Sequence, residues 1–242
     1  MPVLFWKFPI LLLILNKTKL KLPMNPRLIF SFFFSFVFVM SFAQNEQDSL
    51  KAKWKYEPNF MVGIDVLNAG IGVFAERKLF QGFVSSKISK NIHAVAEAGF
   101  EKNIYQKNGY DASVNGPFLK LGAFYMLAKD KENELNGFYA GAKAAGSFYN
   151  QEYRAVPVRG YGGSETSVAF PVSSQSSYWL EATIGGRVQL FESPFYIDVN
   201  MQPRYLLFSS TQEDIKPMIV PGFGKSSAKF NVGFAWNIAY YF

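Results

Sequence analysis

Cysteine is absent from the 242 residues, and histidine occurs once. Without thiols there is no disulfide and no thiolate nucleophile or ligand. A single imidazole also leaves no ligand set of the kind zinc requires. Acidic residues are missing from the first 43 positions, where five of the 25 bases lie: Lys7, Lys17, Lys19, Lys21 and Arg27. The remainder holds 20 bases against 18 acids, so most of the formal +7 charge belongs to the leader. With no basic stripe left, nucleic acid is not an expected partner. Beyond residue 44 no apolar run approaches the ~20 residues that a spanning helix needs. What is abundant is aromatic: 26 Phe and 13 Tyr bring the aromatic share to 18%.

The leader reads in two parts. From Met24, "MNPRLIFSFFFSFVFVMSFAQ" has Arg27 as its positive start, an apolar core over 28–42 and Ser41-Phe42-Ala43 as a small-residue cleavage site. This pattern marks residues 24–43 as a secretory signal peptide. Residues 1–23, with the run "ILLLIL", are read as an upstream mis-start or extended leader. Residues 44–57 form a polar, periplasmic lead-in, and 58–242 the folded domain.

In that domain apolar residues recur at every second position, the period of a strand with one apolar face. In "KFNVGFAWNIAYYF" one face is Phe230, Val232, Phe234, Trp236, Ile238, Tyr240 and Phe242; the other is polar or small apart from Tyr241. The same alternation marks eight strands: 60–67, 79–88, 92–102, 118–127, 138–149, 179–191, 194–204 and 229–242. Their connections alternate in length. Short ones follow strands two, four and six; longer ones cover 68–78, 103–117, 150–177 and 209–227. The predicted fold is all-β: an eight-stranded antiparallel up-and-down transmembrane barrel with short periplasmic turns and longer extracellular loops.

Alternation alone also suits a soluble barrel with its apolar face inward. Three features favour apolar-out. The chain ends on an aromatic-rich strand whose Trp236, Ile238, Tyr240 and Phe242 resemble a C-terminal signal for the barrel assembly machinery. The loops are asymmetric. The minority face carries both signs of charge: Asp65, Glu97, Glu101, Glu181 and Asp198 with Lys87, Lys120, Lys143, Arg187, Arg204 and Lys229. Such charges can pair inside an eight-stranded barrel, whose interior side chains just fill. Facing lipid at midplane, a basic side chain would cost ~2–4 kcal/mol. The core of this expected lumen network is Glu97, Glu101, Lys120, Lys143, Glu181, Arg187, Asp198 and Arg204.

The stretches "ERKLFQGFVSSKISKNIHAVAEAGFEKN", "GPFLKLGAFYMLAKDK", "WLEATIGGRVQLF" and "IKPMIVPGFGKSS", in this order, resemble a Bacteroidota-type outer-membrane β-barrel family with no assigned activity. The leader ending "SFAQ" is similar to leaders in that group. The resemblance spans roughly 58–242 and implies an outer-membrane location, with no catalytic residue to carry over.

Candidate chemistry is sparse. His93 opens strand three beside a short turn, at the rim opposite the one where an outer-leaflet lipid enzyme would work. The paired carboxylates are matched by cations. "IVPGFGKSS" (219–227) ends like a phosphate-binding loop, yet Ile219 stands where the first glycine belongs and a strand follows in place of a helix. The loop 152–177 offers Tyr153, Tyr161 and Phe170 to a ligand or partner. No catalytic group, cofactor, metal or nucleotide is expected. The expected partners are outer-membrane lipid, the assembly machinery during insertion and an extracellular or envelope protein. The expected role is structural or interactive, through the loops. The alternatives are a narrow small-solute pore and a lipid-modifying enzyme.

Overall fold

The computed structural model describes residues 59–159, 165–212 and 215–242. The leader and lead-in, 1–57, lie outside them. The elements in chain order are β1 (Phe60–Asp65), α1 (Val66–Phe74), β2 (Lys78–Lys87), β3 (Ile92–Lys107), β4 (Tyr110–Lys129), β5 (Gly137–Arg159), β6 (Glu165–Gln189), β7 (Phe195–Ser209), β8 (Ile219–Val220), β9 (Gly224–Lys225) and β10 (Phe230–Tyr241). Strands β1 to β7 and β10 close into an antiparallel barrel in which each strand pairs with its sequence neighbours and β1 pairs with β10. Closure runs from Met61↔Tyr241 to Asp65↔Asn237, and the Phe242 N–H donates to the Phe60 carbonyl at 2.9 Å. Closing the sheet leaves no long unpaired edge, except where β1 stops short.

The apolar half of each alternation points outward. Phe138 and Phe148 on β5, Tyr178 and Val188 on β6, and Phe230 and Tyr240 on β10 are all exposed. Each pair lies ten residues apart in sequence. This matches the ~9–11 residues of a tilted spanning strand. Aromatic residues ring both ends: Phe60, Tyr125, Phe138, Phe195 and Tyr240 near the short turns, Phe80, Phe100, Phe148, Tyr178 and Phe230 at the other. Between these rings the outward positions of the described strands are apolar or small, with Ser86 the one hydroxyl and no charge.

Several expected boundaries move. The first strand was expected over 60–67, but it ends at Asp65, whose side chain accepts from the Asn68 N–H at 3.1 Å and caps α1. An N-cap carboxylate satisfies an orphan amide, so the chain turns helical there. Residues 103–117, expected as a loop, continue β3 and β4 to a two-residue turn. Asn108 (φ 56°) and Gly109 (φ 79°) make it. Positive φ at both centres is the turn geometry that follows strand twist, and Asn-Gly favours it. Residues 150–177 likewise extend β5 and β6 beyond the aromatic ring as a paired hairpin, Arg159↔Glu165 being its outermost pair. "GYGG" at its tip falls on 160–163, outside the described residues.

Candidate functional site

The lumen is built from the inward half of the alternation and lies in layers. Nearest the short turns, Met61, Tyr196 and Ala239 pack together, and Asn133 Nδ2 donates to Tyr196 Oη at 2.9 Å. Next come Phe124, Met126 and Tyr139. His93 is buried here, its ring stacked on Phe124 at 4.9 Å and 3°. It makes no hydrogen bond or ion pair among the described residues, so its structural role is packing. Arg187 lies over the rings of Phe124 and Tyr139 at 5.3 and 5.7 Å. Its Nε binds Asp198 at 2.9 Å, and Tyr139, Asn200 and Asn237 also donate to Asp198.

The central layer is a closed ring of opposite charges. Lys143 Nζ meets Glu97 at 2.6 Å and Glu181 at 2.7 Å. Lys120 Nζ meets the same two carboxylates at 3.3 and 3.0 Å. Arg204 Nε joins Glu181 at 3.0 Å. Each of these side chains is buried, so the penalty for removing charge from water is offset by this mutual pairing and by hydrogen bonds from Lys120 and Arg204 to Gln202. Beside the ring the free volume is about 20 Å³.

The layer above is made by a loop. Ile219, Val220 and Phe223, all buried, turn into the barrel mouth and pack on Phe118, Trp179, Tyr149 and Leu206. Phe223 meets Trp179 edge-on at 5.9 Å. Glu101 receives the Gly222 N–H at 2.8 Å and Arg77 Nε at 2.8 Å. Arg204 Nη1 donates to the Phe223 carbonyl at 3.1 Å. Gly222 has φ +76°, and a Cβ there would lie 2.5 Å from the Phe118 ring.

The structure therefore brings all eight expected network residues into the lumen, in three groups. Glu97, Lys120, Lys143, Glu181 and Arg204 form the ring; Arg187 pairs with Asp198; Glu101 pairs with Arg77 and the loop. Three other expected lumen charges lie elsewhere. Asp65 is buried but caps α1, Lys229 is exposed ahead of β10, and Lys87 pairs with Glu134 at the short-turn rim at 2.7 Å. "IVPGFGKSS", expected as an outer turn, is this inward plug; its Lys225 is exposed beside the mouth. Tyr153, expected to face a ligand, is buried, with Phe170 edge-on at 6.4 Å and its hydroxyl donating to the Lys216 carbonyl at 3.1 Å. Tyr161 lies outside the described residues. Trp236, Ile238, Tyr240 and Phe242 are all outward and exposed.

Sequence reasoning missed Arg77, α1 and the plug. The signal for the plug was present: "MIVPGF" is an apolar run inside a connection, where solvent would favour polar residues. Among the described residues no cluster of His, Asp and Glu has a metal-binding arrangement.

The family described as a domain of unknown function (DUF6048) matches residues 26–242. No curated protein matches the sequence. Among solved structures, Neisserial surface protein A (NspA) is similar at 12% identity and a TM-score of 0.39, over 76% of this chain and 94% of that one.

Proposed function

Because the chain belongs to the family of the domain of unknown function DUF6048, a description that assigns no activity, we infer its role from its own geometry. It is an outer-membrane barrel that spans the bilayer as a filled, non-conducting wall element and presents its hairpin and loops outward. The observation that carries this is the outer surface: two aromatic rings about one membrane span apart, with no charge between them. Such girdles sit at the two interfaces of barrels in lipid. Apart from the stretch where β1 stops short, the closed barrel pairs its strands internally, as hydrocarbon demands.

The same reading holds the signal peptide over 24–43, a Bacteroidota-type source, insertion through the Phe242-terminated strand, and an envelope or extracellular protein as partner of the hairpin. A pore is disfavoured by the charge ring and the plug above it. An enzyme is disfavoured by His93, which stacks on Phe124 near the short turns with no Ser, Asp or Glu bonded to it among the described residues.

Two measurements test the proposal. An unheated sample of the outer-membrane fraction should migrate differently from a boiled one on a denaturing gel; a soluble, unshifted band defeats the membrane reading. In a planar bilayer the folded protein should stay silent, and stable single-channel steps would replace the filled-wall reading with the pore.

A further inference from the structure

The barrel wall is incomplete at one place. The β1–β10 pairing stops at Asn237, so Phe230–Trp236 have no strand partner on that side among the described residues. Across the gap, β2 pairs with β1 only over Gly82–Ser86, which leaves Lys78–Gln81 without one. Helix α1 stands in the space, and a hydrogen bond ties it to β10: Asn68 Nδ2 donates to the Phe234 carbonyl at 3.0 Å. A cavity of about 560 Å³ opens here. That volume falls in the range of small-molecule sites. Its lining includes inward Asn231 and Gly233 together with outward Val232 and Phe234. A cavity lined by both faces of one strand passes through the wall.

The two ends of this passage differ in chemistry. The outward part of its lining is apolar, with Ile71 of α1 and Val232 and Phe234 of β10 exposed, so what enters from this side comes from the lipid. The inner end is polar. Gln81 lines it with 5% of its surface exposed, and its carboxamide has no hydrogen-bond partner among the described residues. Its carboxamide faces the cavity and is free to accept from and donate to a ligand there. At the upper rim of the same cavity Lys107 and Lys225 are exposed and meet no carboxylate among the described residues. Of the other charges lining it, Arg77 and Arg204 already bind Glu101 and Glu181, and the Asp65 carboxylate caps α1. Glu76 is the remaining acid. The uncommitted charge is positive.

We propose that this passage is a lateral binding site for an amphiphile with one acyl chain and an anionic head group. The head lies inside the barrel against Gln81, with Lys107 and Lys225 lending positive charge from the rim; the chain runs out between α1 and β10 into the bilayer. This rests on the reading that the barrel spans a membrane.

The test uses the full chain in phosphatidylcholine nanodiscs, with dodecyl phosphate, dodecyl maltoside and inorganic phosphate as probes and native mass spectrometry as readout. Dodecyl phosphate should bind at one per barrel, and the other two should not. Gln81→Leu should weaken it about tenfold, the effect of one lost hydrogen bond, and Lys107→Glu/Lys225→Glu should weaken it further. Ile71→Cys would place the chain's one thiol on the α1 side of the passage, where bound dodecyl phosphate should slow its reaction with a maleimide. Binding of inorganic phosphate alone would show a plain anion site and overturn the proposal. Equal binding of dodecyl maltoside, or no effect of Gln81→Leu and no protection of the thiol, would also overturn it. Each variant is checked for its heat-dependent gel shift: a shifted barrel that binds nothing sinks this inference alone, whereas loss of the shift in the parent protein sinks the spanning reading with it.

Discussion

Glu181 touches three cations: Lys120 at 3.0 Å, Lys143 at 2.7 Å and Arg204 at 3.0 Å. It is buried with them, and it and Glu97 are the two carboxylates of the ring. Glu181→Gln keeps the shape and removes one of those two charges, and should destabilise the barrel by about 3–5 kcal/mol, the cost of leaving a buried partner unpaired. Urea unfolding from lipid vesicles would measure it, and adding Lys120→Met should recover part of the loss. Glu134 is the exposed counterpart. A hydrogen bond from Lys87 at 2.7 Å, helped by Lys129 at 3.6 Å, holds its carboxyl below the ordinary 4.5. A depressed carboxylate adds stability that is complete above 4.5 and is lost as pH falls through its lower folded value. The wild type should therefore exceed Glu134→Gln by a small margin at pH 7. That margin should vanish at strongly acidic pH, and a margin independent of pH would contradict the pairing. Exposure and salt keep the effect small.

At the level of elements, the plug and the wall helix are the two departures from a plain barrel. The plug depends on Gly222, where positive φ and the Phe118 ring both exclude a side chain. Gly222→Ala should cost at least the ~1–2 kcal/mol of a left-handed residue. It should also raise protease cutting within 215–229 while the barrel itself stays folded, since the charge ring lies beneath it. An unchanged cleavage rate would mean that the loop does not need this turn. The wall helix arises where Asp65 caps Val66–Phe74. The apolar run "VLNAGIGVF" suits lipid as either strand or helix, so only the cap and the missing register on β10 separate the two.

For the whole molecule the decisive question is which face meets lipid. Trp236 points outward and Trp179 is buried under the plug against Phe223. With Trp6 and Trp54 first replaced by Phe, fluorescence in vesicles whose acyl chains carry bromine should be quenched strongly in Trp179→Phe, which retains only Trp236. Trp236→Phe should lose most of that quenching. The opposite result would place the apolar band away from lipid and revive the soluble barrel.

The alternation of apolar and polar residues determined the strand count, the antiparallel order and the membership of the lumen network. A period of two reads directly as the side of a sheet, and Glu97, Lys120, Lys143, Glu181, Arg187, Asp198 and Arg204 all share the polar side. Pairing within the lumen was not legible in this way. Whether Asp65 meets a cation or a helix N–H, or whether Glu101 binds an arginine before β2, depends on neighbours distant in the chain. Strand ends were missed for a related reason. Beyond the aromatic ring both faces of a hairpin tolerate polar residues, so β3–β4 and β5–β6 lose their periodic signal while their ladders continue. The plug and the breach beside α1 were decided only by tertiary structure. "IVPGF" is buried because the barrel mouth offers Trp179, Phe118 and the second carboxylate oxygen of Glu101. The wall opens because β1 ends at Asp65, opposite Asn237, while seven more residues of β10, Phe230–Trp236, run on without a partner on that side. A local sequence pattern carries no record of either event, since each is set by what closure brings alongside.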